Sequence, residues 1–142
     1  MKDKVDSILG ATLVIMLAVM TLDVLWGVFT RYVMSNQASW SEELARFLLI
    51  WIGVLGAAYA SGQRMHLSID LLPNKPVRLI AVLIILFALG VMVIGGARLV
   101  FITAELGQTS PALGLPMSLI YTVVPISGLL IIYYRLYDFN AR

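Results

Sequence analysis

No cysteine occurs in the chain, and histidine occurs once, as His66. The first absence excludes disulfide frameworks, thiol catalysis and Cys-ligated metals. The second leaves little for a zinc site or for a bis-histidine haem. Charge is scarce as well. Only 13% of the 142 residues are charged, against 61% that are hydrophobic, where a soluble domain carries about 25% charged residues. A chain with so few polar side chains cannot cover the surface of a soluble fold. Disorder is excluded on the same ground. The net charge is only +2, so the pI near 9.1 gives no footprint for nucleic acid.

What is present is apolar length. A spanning helix needs about 20 mostly apolar residues, and four stretches supply them. They run from about Ile8 to Phe29, Leu44 to Ser61, Leu79 to Ala104, and Leu113 to Tyr134. Strand-like alternation with regular turns does not recur, which argues against an outer-membrane barrel. The first span is too long for a signal-peptide core, has no A-x-A-like cleavage site and contains Asp23, so it reads as a retained helix. The expected fold is an all-α membrane protein of four transmembrane helices with a short interfacial segment, forming one domain over residues 1–142.

Four spans put both termini on one side. Lys2, Lys4, Arg64, Lys75, Arg78, Arg135 and Arg142 fall on that side, and Arg31, Arg46 and Arg98 on the other. Seven basic residues against three predict cytoplasmic termini. Trp26, Tyr32 and Trp40 would mark the outer boundary, and Tyr133, Tyr134 and Tyr137 the inner one. Trp51 lies deep in the second span and reads as packing.

Few polar residues remain to be weighed. Asp23 is the one charge inside the first span. It could be a proton or cation site, since intramembrane carboxylates are costly and often functional. Without a second buried acid, a bond to a neighbouring helix or to water is favoured. Ser39 with Glu42 three residues on fits a capping box at the start of the second helix. Glu42 and Glu43 precede Arg46 by four and three residues, which allows same-helix pairs. With Arg31 and Trp40 they form the densest polar cluster. It reads either as a solvated helix start or as an outward docking or inter-subunit surface. Charge reversal at Glu43 and Arg46 would then lower transport while the chain stays in the membrane.

The segment from Gly62 to Arg78 carries Arg64, His66 and Asp70 between apolar residues, and reads as an interfacial loop touching membrane lipid. Gly53 and Ala57 are four apart, as are Gly56 and Ala60. This spacing lets helix backbones approach closely and predicts a helix-packing face on span two. Gly90 and Gly95-Gly96 predict a close approach or a bend in span three, and Pro125 a kink in span four. No P-loop, nucleophile–base pair or twin carboxylate is present, so neither an enzyme nor an electron-transfer subunit is indicated. No metal or cofactor is expected. No internal repeat of the kind found in self-sufficient transporters is detectable either.

The run Phe29-Thr30-Arg31-Tyr32, then Trp40-Ser41-Glu42-Glu43-Leu44-Ala45-Arg46, resembles the small membrane subunit of TRAP transporters (tripartite ATP-independent periplasmic transporters), the DctQ type. Gly56-Ala57-Ala58-Tyr59-Ala60 and Arg64-Met65-His66-Leu67-Ser68-Ile69-Asp70 fit the same pattern. The resemblance implies a non-catalytic subunit in the bacterial inner membrane. Its expected partners are a large membrane subunit, which carries the organic acid anion and sodium, and a periplasmic substrate-binding protein. The small subunit would brace the scaffold of the large one. C4-dicarboxylates, keto acids and sugar acids such as sialic acid are all compatible substrates. The competing reading is a small four-helix proton-coupled exporter acting as a homodimer, and Asp23 is its only support.

Overall fold

The computed structural model describes residues 2–36, 38–63 and 77–140. Arg64, His66 and Asp70 lie outside the described residues. Helix α1 spans Lys2–Tyr32 and α2 Ser39–Gly62. The third crossing is α3 (Val77–Phe87), a π-helical segment (Ala88–Gly95) and α4 (Gly96–Glu105). The fourth is α5 (Met117–Tyr121) and α6 (Val123–Asn140). Four helical stretches are long and apolar enough to cross a membrane: Lys2–Tyr32, Ser39–Gly62, Leu79–Glu105 and Met117–Tyr137. The expected all-helical, four-span fold is therefore the observed one.

Several boundaries move, each for a local reason. The helix of span two starts earlier than the apolar run, at Ser39. The capping box does not form. Ala38 is the cap, with extended φ −77° and ψ 90°, and no side chain bonds the first turn. Ser39 is already helical and sits one residue too late to cap. Span four begins at Met117 rather than Leu113, because Leu113–Pro116 belongs to the preceding loop. The expected kink is present: α5 ends at Tyr121 and α6 resumes at Val123. Pro125 has no N–H to offer the Tyr121 carbonyl four residues back. Ile120 keeps its carbonyl satisfied from outside the helix, by the Trp51 indole Nε1 at 3.1 Å. Trp51 thus acts as packing across the crossing, and Trp51→Phe should cost about 1 kcal/mol of stability, read as a lowered thermal midpoint in detergent.

The four crossings pack as an open row in the order one, two, four, three. Helix α1 packs on α2, α2 on α6, and α6 on the π segment with α3 and α4. Hydrocarbon tails are as apolar as leucine, so close van der Waals fit and hydrogen bonds must hold such a row together. The fit is tightest at glycines. A Cβ at Gly96 would lie 2.9 Å from Pro125 Cδ, and one at Gly128 would lie 2.8 Å from Met92 Cβ. Leu9, Leu55, Val123 and Tyr134 form the core where α1, α2 and α6 meet. A Cβ on Gly62 would fall 2.6 Å from the Tyr134 ring, and the Tyr134 hydroxyl donates to Asp6 Oδ1 at 2.6 Å. Tyr134 is therefore a buried strut tying the two ends of the chain, not a boundary marker. Tyr134→Phe should weaken the protein by about 1–2 kcal/mol, measured by thermal unfolding, because a hydrogen bond to a charged group is lost.

Candidate functional site

The polar residues singled out above gather at the end of the row opposite the termini. Three pieces meet there: the last turn of α1 with the 33–36 turn, the first turns of α2, and the loop between α4 and α5. Ser35 takes the left-handed conformation (φ 51°) that reverses the chain after α1.

Glu42 and Glu43 are neighbours in sequence but point about 100° apart around the helix. Glu42 faces water and meets Arg31 across the turn, with Nη2 to Oε1 at 2.6 Å and each side chain 52% exposed. An acid in the first turn of α2 and a base in the last turn of α1 each suit the local helix dipole. At that exposure the pair contributes at most about 1 kcal/mol.

Glu43 goes the other way and is buried at 8% exposure. Its Oε2 accepts from Ser110 Oγ at 3.0 Å, from the Ala112 N–H at 2.9 Å and from the Leu113 N–H at 2.8 Å. The loop around this carboxylate is ordered by its own bonds. Ser110 N–H donates to the Leu115 carbonyl at 2.8 Å, Gly114 N–H to Ser110 at 3.0 Å, and Met117 N–H to Gln108 at 2.8 Å. Gly107 and Gly114 supply the positive φ angles (58° and 66°) that let the chain fold back on itself. A short antiparallel bridge joins Thr109 to Pro116. The carboxylate thus occupies a nest of amide donors and pins the loop to α2. The reading of Glu43 as a surface docking residue is corrected on this point: its acceptor oxygen is spent inside the chain.

Arg46 is exposed and makes no same-helix pair, since one acid has turned to Arg31 and the other inward. Trp40 is 43% exposed. It lines a groove of about 320 Å³ with Trp26, Thr30, Met34, Asn36 and Ser39.

Asp23 sits at the crossing of α1 and α2, 7% exposed. The tie between the helices there is made by its backbone: Ser41 Oγ donates to the Asp23 carbonyl at 3.0 Å. Neither carboxylate oxygen has a hydrogen-bond partner among the described residues. Among the described residues, the bond between the two helices at this point runs through the Asp23 main chain. Gly27, one turn on, allows this approach, since a Cβ there would lie 3.0 Å from Ser41 Oγ. Among the described residues no three His, Cys, Asp or Glu side chains come together.

The small residues of α2 divide between two faces. Leu55, Ala58, Ser61 and Gly62 are buried within the chain. Gly53 and Ala57 are exposed, and Gly56 and Ala60 only partly covered. A Cβ at Gly53 or Gly56 would meet nothing within 4 Å. Among the described residues, the predicted small-residue face is thus left largely uncovered. By helical periodicity it is continuous with Leu49, Arg46 and Glu42.

The nest around Glu43, the Trp51 bond to Ile120 and the Tyr134–Asp6 tie were not foreseen. Their partners lie 67 to 128 residues apart in sequence. The one available signal was the Pro- and Gly-rich composition of the loop, which marks a tight turn but names no acceptor.

Comparison with known proteins identifies the class. Residues 20–140 match the family described as "Tripartite ATP-independent periplasmic transporters, DctQ component". A Haemophilus influenzae protein described as a TRAP transporter small permease protein is 31% identical over 122 residues, 81% of this chain and 74% of that one. The C4-dicarboxylate TRAP transporter small permease protein DctQ of Rhodobacter capsulatus is 34% identical over 96 residues, and the match spans 42% of its length. The isethionate TRAP transporter permease protein DctMQ of Oleidesulfovibrio alaskensis is 35% identical over 97 residues, only 15% of that longer chain. The chain belongs to the DctQ family of TRAP transporter small permease subunits. It is a multi-pass integral membrane protein and a non-catalytic transport component. Membership decides against the exporter reading, which rested on Asp23 alone.

Proposed function

We propose that this chain is the small subunit of a sodium-driven TRAP system for uptake of an organic acid anion. It would sit in the bacterial inner membrane with cytoplasmic termini and brace the scaffold of a large membrane subunit. The anion class is supported by relatives named for C4-dicarboxylate and isethionate. The orientation rests on the distribution of Lys and Arg. The large partner is supported by the isethionate relative, where the matching segment is a minor part of one longer permease chain.

The observation that carries the reading is the unused face of α2. Lipid-facing surfaces favour large apolar side chains, as α1 illustrates with Val14, Ile15 and Leu22 exposed. The α2 face instead offers Gly53, Gly56, Ala57 and Ala60, with Arg46, exposed and without an ion pair among the described residues, near one end. Small residues let another helix come close, and an arginine within a span calls for an acceptor. A helix of the large subunit with an acidic or carbonyl acceptor opposite Arg46 satisfies both demands. Arg31, Trp40 and Glu42 then lie at the periplasmic end, where the substrate-binding protein docks.

The test is co-purification. Gly53→Leu with Ala57→Leu should leave this chain in the membrane and reduce the recovered large subunit at least tenfold. Equal recovery would remove α2 as the contact.

A further inference from the structure

We propose that the π-helical segment Ala88–Gly95 is a register switch, which turns the α3 half of the third crossing about its own axis while α4 stays fixed.

A π turn closes its hydrogen bond over one residue more than an α turn does. Releasing that extra residue into α geometry rotates everything on the α3 side by one helical position, about 100°. Inside a membrane such a change is open only where no backbone donor is stranded. The junction with α4 meets this condition. The Gly96 N–H is shared among the carbonyls of Val91, Met92 and Val93, so it keeps an acceptor in a wide, a regular or a tight register. Packing does not account for the glycines of the segment. Gly90 and Gly95 are exposed. A Cβ at Gly90 would meet nothing within 4 Å, and one at Gly95 only the Gly90 carbonyl oxygen, at 3.7 Å. Glycine costs about 1 kcal/mol against alanine inside a helix, and what it supplies in return is a soft backbone. The facing residue on α6 is Gly128, which has no side chain to lock the turn.

The two halves of the crossing are held unequally. In α4, Gly96 is wedged against Val124 and Pro125, and Thr103 is buried. In α3 no residue from Leu79 to Phe87 is buried. That stretch carries no polar side chain either. Lipid and α6 therefore meet an equally apolar surface whichever face α3 turns to them. Two registers of similar energy, separated by one defined turn, make a two-state element. A neighbouring helix that fits one face of α3 better selects that register, with α4 and its loop unmoved.

The test uses the full chain in lipid nanodiscs. Its lack of cysteine leaves only the introduced sites open to spin labels. One label goes on Leu17→Cys in α1, at the far side of the row. The second goes on Ile80→Cys or Val82→Cys, both exposed and about 160° apart around α3, or on Phe101→Cys in α4 as the fixed reference. Pulsed dipolar spectroscopy should give two distance populations at each α3 site and one at Phe101. Gly90→Ala with Gly95→Ala favours the α register. It should shift the population ratio at least threefold, lengthening the mean distance at one α3 site, shortening it at the other, and leaving Phe101 unchanged. A single population at both α3 sites, as narrow as at Phe101, overturns the switch. Distances at Ile80 and Val82 that change in the same sense report a swinging arm and overturn the rotation. The wild-type distributions decide the case by themselves if the alanine variant does not assemble.

Discussion

Glu43→Ala should lower the thermal midpoint of the purified protein by on the order of 10 °C, corresponding to about 3 kcal/mol. Three donors converge on one carboxylate oxygen, the Ser110 hydroxyl and the amides of Ala112 and Leu113. Each buried donor left without an acceptor costs about 1–3 kcal/mol, and water entering at the chain end recovers part of that. The defect should be local as well as global. Amide exchange at Ala112 and Leu113 should speed up by at least a hundredfold, while the Tyr59-to-Gln63 end of α2 stays protected. Glu43→Gln should fall between, since one amide oxygen can accept but the charge assistance is gone. A midpoint within 2 °C of wild type would show that the nest is not a source of stability. Charge reversal at Glu43 therefore acts through folding, whereas charge reversal at Arg46 acts at a surface. The two substitutions separate in a thermal scan even where both lower transport.

Gly128→Leu should be the most damaging apolar substitution in the fourth crossing. A Cβ there would meet Met92 Cβ at 2.8 Å, Val93 Cγ2 at 3.0 Å and the Ala88 carbonyl oxygen at 3.2 Å. One of these is backbone and another sits on a rigid stem, so the helices must part rather than repack. The expected loss is about 2–3 kcal/mol or more, read as aggregation on solubilisation or a collapsed melting transition. Gly90→Leu is the internal control. It lies in the same crossing as Met92, but a Cβ there would meet nothing within 4 Å. The control should melt within a few degrees of wild type. Equal behaviour of the two variants would mean that spans three and four do not pack at Gly128.

Glycine spacing alone did not separate these cases. Gly53, Gly56 and Gly90 stand in open space, while Gly62, Gly96 and Gly128 are pressed against neighbours. The residues are chemically identical, and the pattern small-x-x-x-small occurs on more than one face of α2. What distinguishes them is the order in which the crossings pack, which depends on contacts between distant segments. The same limit governed the charges. Glu42 and Glu43 were expected to act together because they adjoin in sequence, yet the helical turn sends them to opposite tasks. At Asp23 the bond between α1 and α2 is made by the carbonyl, which accepts from Ser41 Oγ where Gly27 lets the two helices come close.

The scarcity of charge and the four apolar runs were sufficient to define a four-span helical membrane protein. Burying so few polar groups in lipid permits little else, since each backbone must bond within its own helix. Pro125 was sufficient to break the last crossing, because a missing N–H is a local property. The run around Trp40-Ser41-Glu42-Glu43 was sufficient to indicate the family. The tertiary structure alone decided the open row of crossings, the free face of α2 and the inward turn of Glu43. Each of these depends on which donor or surface, tens of residues away, arrives within a few ångströms, and that distance is set by packing.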